Sequence, residues 1–413
     1  MKSYSEKIKN LDYSQLIYYL MILLLLRIDL VFINNTPTGG DMGAHVVPIK
    51  YFIDNFATNL QINGWSNDWF AGYPLYYFYF PFPAIITYFF HFLFPFGIAF
   101  KIMVVGSIVL NIYSIEKLLR KENHLFSHVG IVCGLAFVLT ESFTIYGGNL
   151  ASTLAGQFSF TYSLAFGNLA IYYLIKSNYK YRFIMSSILL AFCVLSHLIP
   201  FMIYLPIYVF YWLVKKEKFL AKLISIFLFS ALVTRWIIPL IYNLEFTTNM
   251  SYTPYTQLKD LIKPDVMPIF IIFILFIALN FDYKKLIKNK VFSLFEIYLL
   301  LVSTILYFYV PEGALWNGRL VPFFNLGIII LAFKILDLIF NEIVKFQQGT
   351  LLIKLSIFVS ISSCLYIFYE KWFQYSSYRL FTFGIILFSV FQLLVLLNST
   401  FRLINLGLFV FII

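Results

Sequence analysis

Apolar runs of about twenty residues recur from Leu16 to the last residue of this chain, separated by short polar breaks. A bilayer core takes roughly 20 apolar residues per helix, because backbone groups surrounded by lipid must hydrogen-bond within their own segment. The pattern predicts an all-α, polytopic bundle of transmembrane helices with about 11–13 spans. It does not resemble the alternating strands of a membrane barrel. Composition agrees: of 413 residues, 61% are hydrophobic and only 12% charged, against about a quarter charged in a soluble domain. Too little polar surface remains for a globule in water.

The candidate spans are 14–34, 98–118, 126–145, 157–175, 182–197, 199–214, 221–242, 267–282, 291–311, 319–340, 352–372 and 379–397, with a further start at 403–413. The whole of 1–413 reads as one integral membrane domain. Because it stops inside an apolar run at Phe409 to Ile413, a chain truncated at its C-terminus is expected. The segment 75–97 is long and apolar enough to span, but Pro74, Pro81, Pro83 and Pro95 and its many aromatics favour a broken or interfacial helix.

A formal charge of +11 raises the question of nucleic acid. The lysines and arginines lie mostly in short loops, such as Lys117/Arg120/Lys121, Lys215/Lys216/Lys218 and Lys284/Lys285/Lys288. That is the positive-inside pattern, with no basic stripe on a polar element, so nucleic acid is not an expected partner. It predicts an inner (plasma) membrane protein with a cytoplasmic N-terminus and a retained first helix. Cys133, Cys193 and Cys364 fall inside apolar runs and read as buried thiols. The loops rich in Gly, Asn, Asp, His and Trp then all face outward, and any chemistry is expected there.

The first outer loop, 35–75, holds the leading candidates. Glycines flank Asp41 in Gly39-Gly40-Asp41-Met42-Gly43, allowing tight turns and close approach of a ligand. A carboxylate so placed can take a proton from a hydroxyl or hold a divalent cation; a capped turn is the competing account. His45 follows four residues later, on the same face of a helix starting near Met42, and could share that cation or serve as a structural residue. Asp68 could bind a sugar hydroxyl, while Trp69 and Tyr73 could stack on a sugar ring or anchor at the interface. In a second outer element, small and hydroxylated residues surround Asn149 at a helix entry, suiting either an anion or tight packing. His197 sits at an outward helix end. Arg235 and Arg319 stand outside the inside-loop pattern, and their guanidinium forks suit a phosphate or a structural carboxylate partner.

Five segments together resemble a known family: Gly39 to His45, Trp69 to Pro81, Tyr146 to Phe158, Ser196-His197, and Trp316-Asn317-Gly318-Arg319. In order, and over most of the chain, they are similar to the bacterial membrane family labelled "6-pyruvoyl-tetrahydropterin synthase-related". The chain departs from that pattern at Gln157, where the resemblance implies an acidic residue. The label is not an activity: a pterin synthase is a soluble zinc enzyme with a three-histidine site, and His45, His91, His124, His128 and His197 are scattered here. In architecture the family looks like the C-type (GT-C) glycosyltransferases that use polyprenyl-phosphate sugars and carry an acid in the first long outer loop. The resemblance implies Asp41 as base or metal ligand, with Asp68 and His45 secondary.

The expectation is a membrane glycosyltransferase taking sugar from a polyprenyl-phosphate-linked donor at the outer face, for a glycan, lipid or protein acceptor. Membrane lipid is its other partner; no soluble cofactor is implied, and a divalent metal ion is an open option. A transporter or flippase of lipid-linked sugar, or a non-catalytic scaffold, remains the alternative. Against transport stands the absence of an internal repeat.

Overall fold

The computed structural model describes residues 19–20, 22–24, 26–119, 129–140, 145–175, 179–248, 252–262, 293–311 and 315–345, the last without the side chains of 336 and 338–345. The expected spans at 267–282, 352–372, 379–397 and 403–413, and Cys364, lie outside the described residues. The chain divides into two compact units, 1–334 and 335–413, and every candidate site residue belongs to the first.

The described residues are overwhelmingly helical. In chain order the main helices are α1 (Met42–Tyr51), α2 (Phe82–His91), α3 (Phe96–Leu119), α4 (Val129–Val138), α5 (Phe158–Ile175), α6 (Arg182–Ser196), α7 (Leu198–Val214), α8 (Phe219–Tyr242), α9 (Leu294–Tyr309) and α10 (Val321–Lys345). Among the described residues four segments are long and apolar enough to cross a membrane: Phe96–Leu119, Leu150–Ile175, Phe219–Tyr242 and Asn317–Ile335. The surface supports the same reading. Leu213, Phe219, Leu220, Phe227, Ile238 and Ile241 are all exposed on α7 and α8, an apolar face too continuous for a protein in water.

Helix α5 is the hub, packing against α3, α6 and α7. Its sequence explains how neighbours come so close. Gly167 leaves room for the Tyr204 ring of α7, which a Cβ there would meet at 2.3 Å. The Tyr204 hydroxyl donates to Asn168 Oδ1 at 2.6 Å, and Asn168 Nδ2 donates to Ser114 Oγ on α3 at 3.1 Å. Small residues at close crossings and side-chain bonds between helices are how bundles hold together where lipid offers no competing hydrophobic drive. Deeper along α9 and α10, Lys334 pairs with Glu296 at 2.6 Å, both buried, so two costly charges satisfy each other.

The proline-rich stretch after the first long loop is interrupted as its sequence dictates. A two-stranded antiparallel hairpin, β1 (Gly64–Ser66) and β2 (Tyr73–Leu75), pairs Trp65 with Pro74. Pro81 then ends the irregular stretch and Pro83 sits in the first turn of α2, where its missing N–H is no loss. At ten residues α2 is only about 15 Å long, half of what a bilayer core requires.

Candidate functional site

Gly40, just before Asp41, and Gly156, far along the chain, let two distant segments meet in a backbone clasp. Residues Thr153–Gln157 form a π-helical turn that leads into α5, and Gly156 within it has φ +110°. The Asp41 N–H donates to the Ala155 carbonyl at 2.8 Å. Contact is so close that a Cβ on Gly40 (φ +51°) would lie 2.5 Å from the Ala155 oxygen, and one on Gly156 would lie 2.9 Å from Asp41 Cβ. No other residue type fits either position without moving backbone.

Asp41 is the N-terminal flanking residue of α1, but its side chain caps nothing. The capped-turn account is thereby set aside: the carboxylate is not turned back onto its own helix. It is exposed, and Gln157 Nε2 approaches its Oδ2 at 3.4 Å. The other end of the same amide accepts a hydrogen bond from Arg319 Nη1 at 2.7 Å. That nitrogen also donates to the Tyr146 carbonyl at 3.2 Å, and the guanidinium lies 5.9 Å from the centre of the Phe160 ring. Among the described residues Arg319 has no carboxylate partner.

His45, one turn into α1, is packed between Tyr79 (5.5 Å between ring centres) and Phe158 (4.8 Å). Burial pushes its pKa down from 6.5 to about 4, partly offset by the charge of Asp41 and a hydrogen bond to the Gly156 backbone. A histidine with a folded pKa below its unfolded one binds fewer protons when folded. Its contribution to stability is whole above about pH 6.5 and is lost as pH falls toward 4. Thermal unfolding in detergent should therefore fall more steeply between those pH values in the native protein than in His45→Gln, by a difference on the order of 2–3 kcal/mol. Identical pH profiles would show that burial of the neutral ring contributes nothing.

Asp41 and His45 could offer a divalent cation two ligands. Among the described residues no group of three His, Cys, Asp or Glu gathers at one point, so such a cation would complete its shell from substrate oxygens and water.

The other sequence candidates fall into four situations. His197 joins the cluster from below: its ring stacks on Phe80 at 4.4 Å, meets Phe160 at 5.2 Å, and feels the charge of Arg319. Its Nδ1 accepts from the Ile199 N–H at 3.2 Å, capping α7, which leaves the proton of a neutral ring on Nε2. Asn149 is committed to structure. It is fully buried, accepts from the Ser152 N–H at 2.8 Å, and donates to the Thr140 carbonyl. Asp68 and Trp69 lie in the connection between β1 and β2, Asp68 exposed, and Tyr73 opens β2 beside Phe70. Arg235 is exposed on α8 and donates to the Leu60 carbonyl, holding the first loop instead of joining Arg319.

Sequence singles out Gln157 only as a departure from the resembled family's acidic residue, and Tyr79 and Phe160 not at all. Gln157 does carry a signal, a lone amide between Gly156 and the apolar start of α5. Tyr79 and Phe160 are single aromatics among many and carry none.

Beside the cluster, Trp316 packs against Tyr146, Tyr252 and Tyr255 at 5.0–5.8 Å. Asn317 grips the Tyr255 backbone on both sides, accepting its N–H at 3.0 Å and donating to its carbonyl at 2.7 Å. These contacts fix the start of the Arg319 segment. No protein-family model matches this chain, and no curated protein matches it.

Proposed function

We propose that this protein is a glycosyltransferase of GT-C-like layout, with about 11–13 spans in the inner membrane and a cytoplasmic N-terminus. In this reading its site faces outward and uses a polyprenyl-phosphate-linked sugar. The observation that carries the reading is the pairing of Asp41 and Arg319. A carboxylate that caps nothing lies across one amide from a guanidinium with no carboxylate partner among the described residues, at the end of a bundle of apolar helices. Transfer of a sugar from a phosphate needs those two things, a base for the acceptor hydroxyl and a cation for the departing phosphate. The resemblance in the five motif segments points the same way at Asp41, and departs at Gln157, where it implies an acidic residue.

The acceptor hydroxyl gives its proton to Asp41 as its oxygen forms a bond to the anomeric carbon. The bond from that carbon to the phosphate oxygen breaks on the opposite face, its electron pair leaving with the polyprenyl phosphate and the sugar inverting. Arg319 holds the phosphate in the bound donor and as it leaves. A divalent ion at Asp41 and His45 would supply further charge stabilisation. In this reading Asp68, Trp69 and Tyr73 at the hairpin would meet the sugar or the acceptor.

The test is transfer of label from polyprenyl-phosphate sugars in membranes carrying the protein, with and without chelator. Transfer dependent on the protein supports the reading. Absence of transfer from every donor, with protein-dependent movement of the lipid-linked sugar between leaflets, would replace it with transport. Within the enzyme reading, Arg319→Lys keeps the charge but loses the planar guanidinium, which is oriented through Nη1 on Gln157 and Tyr146 and offers its remaining N–H groups to phosphate. Its KM for the donor should rise about tenfold, with kcat changed less, because the phosphate is held in ground state and transition state alike. Initial rates against donor concentration would check this, and an unchanged KM would remove Arg319 from the donor site.

A further inference from the structure

We infer that Gln157 is a positioning residue that fixes Arg319 without neutralising it, so that the guanidinium stays available to the donor's phosphodiester and to the phosphate monoester that leaves; this rests on the donor site proposed above. Three features carry the inference. Both hydrogen bonds of the Arg319 guanidinium among the described residues come from Nη1 and go to neutral acceptors, the Gln157 side chain at 2.7 Å and the Tyr146 carbonyl at 3.2 Å. One nitrogen is thus spent on orientation, and the Nε and Nη2 edge is left for a ligand. Gln157 is itself held in place, being the last residue of the turn clasped to Asp41. Its own carbonyl accepts from Thr161 Oγ1 at 3.3 Å. Finally, the amide stands between the two charges: its Nε2 faces Asp41 Oδ2 and its Oε1 faces Arg319. A side chain of this length with opposite hydrogen-bonding ends keeps acid and guanidinium apart while touching both. A direct Asp41–Arg319 pair would instead fill each charge with the other and leave neither for substrate.

A glutamate at 157 has the same length and would reach Arg319 with a full negative charge. It would compete with phosphate for the guanidinium, so Gln157→Glu should bind anions worse than Gln157→Ala, which only loosens the tether. A purely structural role predicts the reverse order, because the glutamate keeps the shape.

The experiment uses the full chain in detergent micelles with decyl phosphate as the probe and decyl glucoside as the neutral control, read by tryptophan fluorescence and checked by melting temperature. Native protein should bind decyl phosphate, Arg319→Ala should lose it, Gln157→Glu should weaken it at least about tenfold, and Gln157→Ala should weaken it less. Binding lost in Arg319→Ala but undiminished in Gln157→Glu, or weaker in Gln157→Ala than in Gln157→Glu, would overturn the inference and leave the donor site standing. Native protein that does not prefer decyl phosphate over the glucoside, or Arg319→Ala that binds it as well, would overturn the donor site itself.

Discussion

Asp41→Asn should lower sugar transfer by between a hundredfold and ten-thousandfold, the usual contribution of a positioned general base, while leaving the protein as stable as before. The substitution is nearly isosteric. Its backbone N–H would still donate to the Ala155 carbonyl, and the amide oxygen could still accept from Gln157. Because the carboxylate caps no helix, its loss should not shift the melting temperature measurably; exposed changes of this kind cost about 0.5 kcal/mol or less. The decisive measurement is kcat/KM for labelled donor beside a melting curve of the same preparation. A variant with full transfer would remove the base from the mechanism, and one that transfers poorly because it is unfolded would show in the melting curve.

The second large effect concerns the clasp. Gly156→Val should destabilise the protein by roughly 3 kcal/mol or more and abolish transfer, since it combines a forbidden backbone angle with collision. Gly156 has φ +110°, and its new Cβ would lie 2.9 Å from Asp41 Cβ and 3.1 Å from the Asp41 carbonyl carbon. Relief of that collision moves the acid. Neighbouring glycines serve as graded controls. Gly39 has φ +102° but open space where a Cβ would go, so Gly39→Ala should show strain alone, about 1 kcal/mol. Gly43 has neither constraint and sits in α1, so Gly43→Ala should be neutral or stabilise slightly, by about 0.5–1 kcal/mol. Melting temperatures falling in any other order would mean that the clasp does not set the geometry of this loop.

Apolar run length made the helical membrane character legible, because the solvent dictates it: lipid tolerates no unpaired backbone, and the chain shows this residue by residue. Prolines at 74, 81 and 83 likewise announced the interruption ahead of α2. Partnership was much less legible. Residues 39–41 and 155–157 lie more than a hundred positions apart and meet through backbone atoms, which leave no periodicity to read. Glycine at 40 and 156 hinted at close approach without saying to what. Asn149 looked like a ligand-binding amide because a helix entry offers N–H groups to an anion and to a capping side chain alike; here the side chain itself occupies Ser152 N–H. Arg235 and Arg319 both read as phosphate binders, with Arg319 favoured, and tertiary packing separates them further. One is spent on the Leu60 carbonyl, while the other lies beside Asp41.

The separation of the two arginines has a mechanical side. Arg235 and Trp236 sit together on α8, the most exposed of the four segments long and apolar enough to cross a membrane, and they reach the first long loop and the turn after the hairpin. Arg235 takes the Leu60 carbonyl, and the indole N–H of Trp236 takes the carbonyls of Tyr76 and Tyr79 at 3.1 Å each. Tyr79 in turn packs on His45, one turn from Asp41. The most exposed of the four apolar segments is therefore fastened, through two adjacent residues, to the loop that carries Asp41. With that helix against acyl chains, its tilting in thicker or thinner lipid would pull on the Asp41 loop.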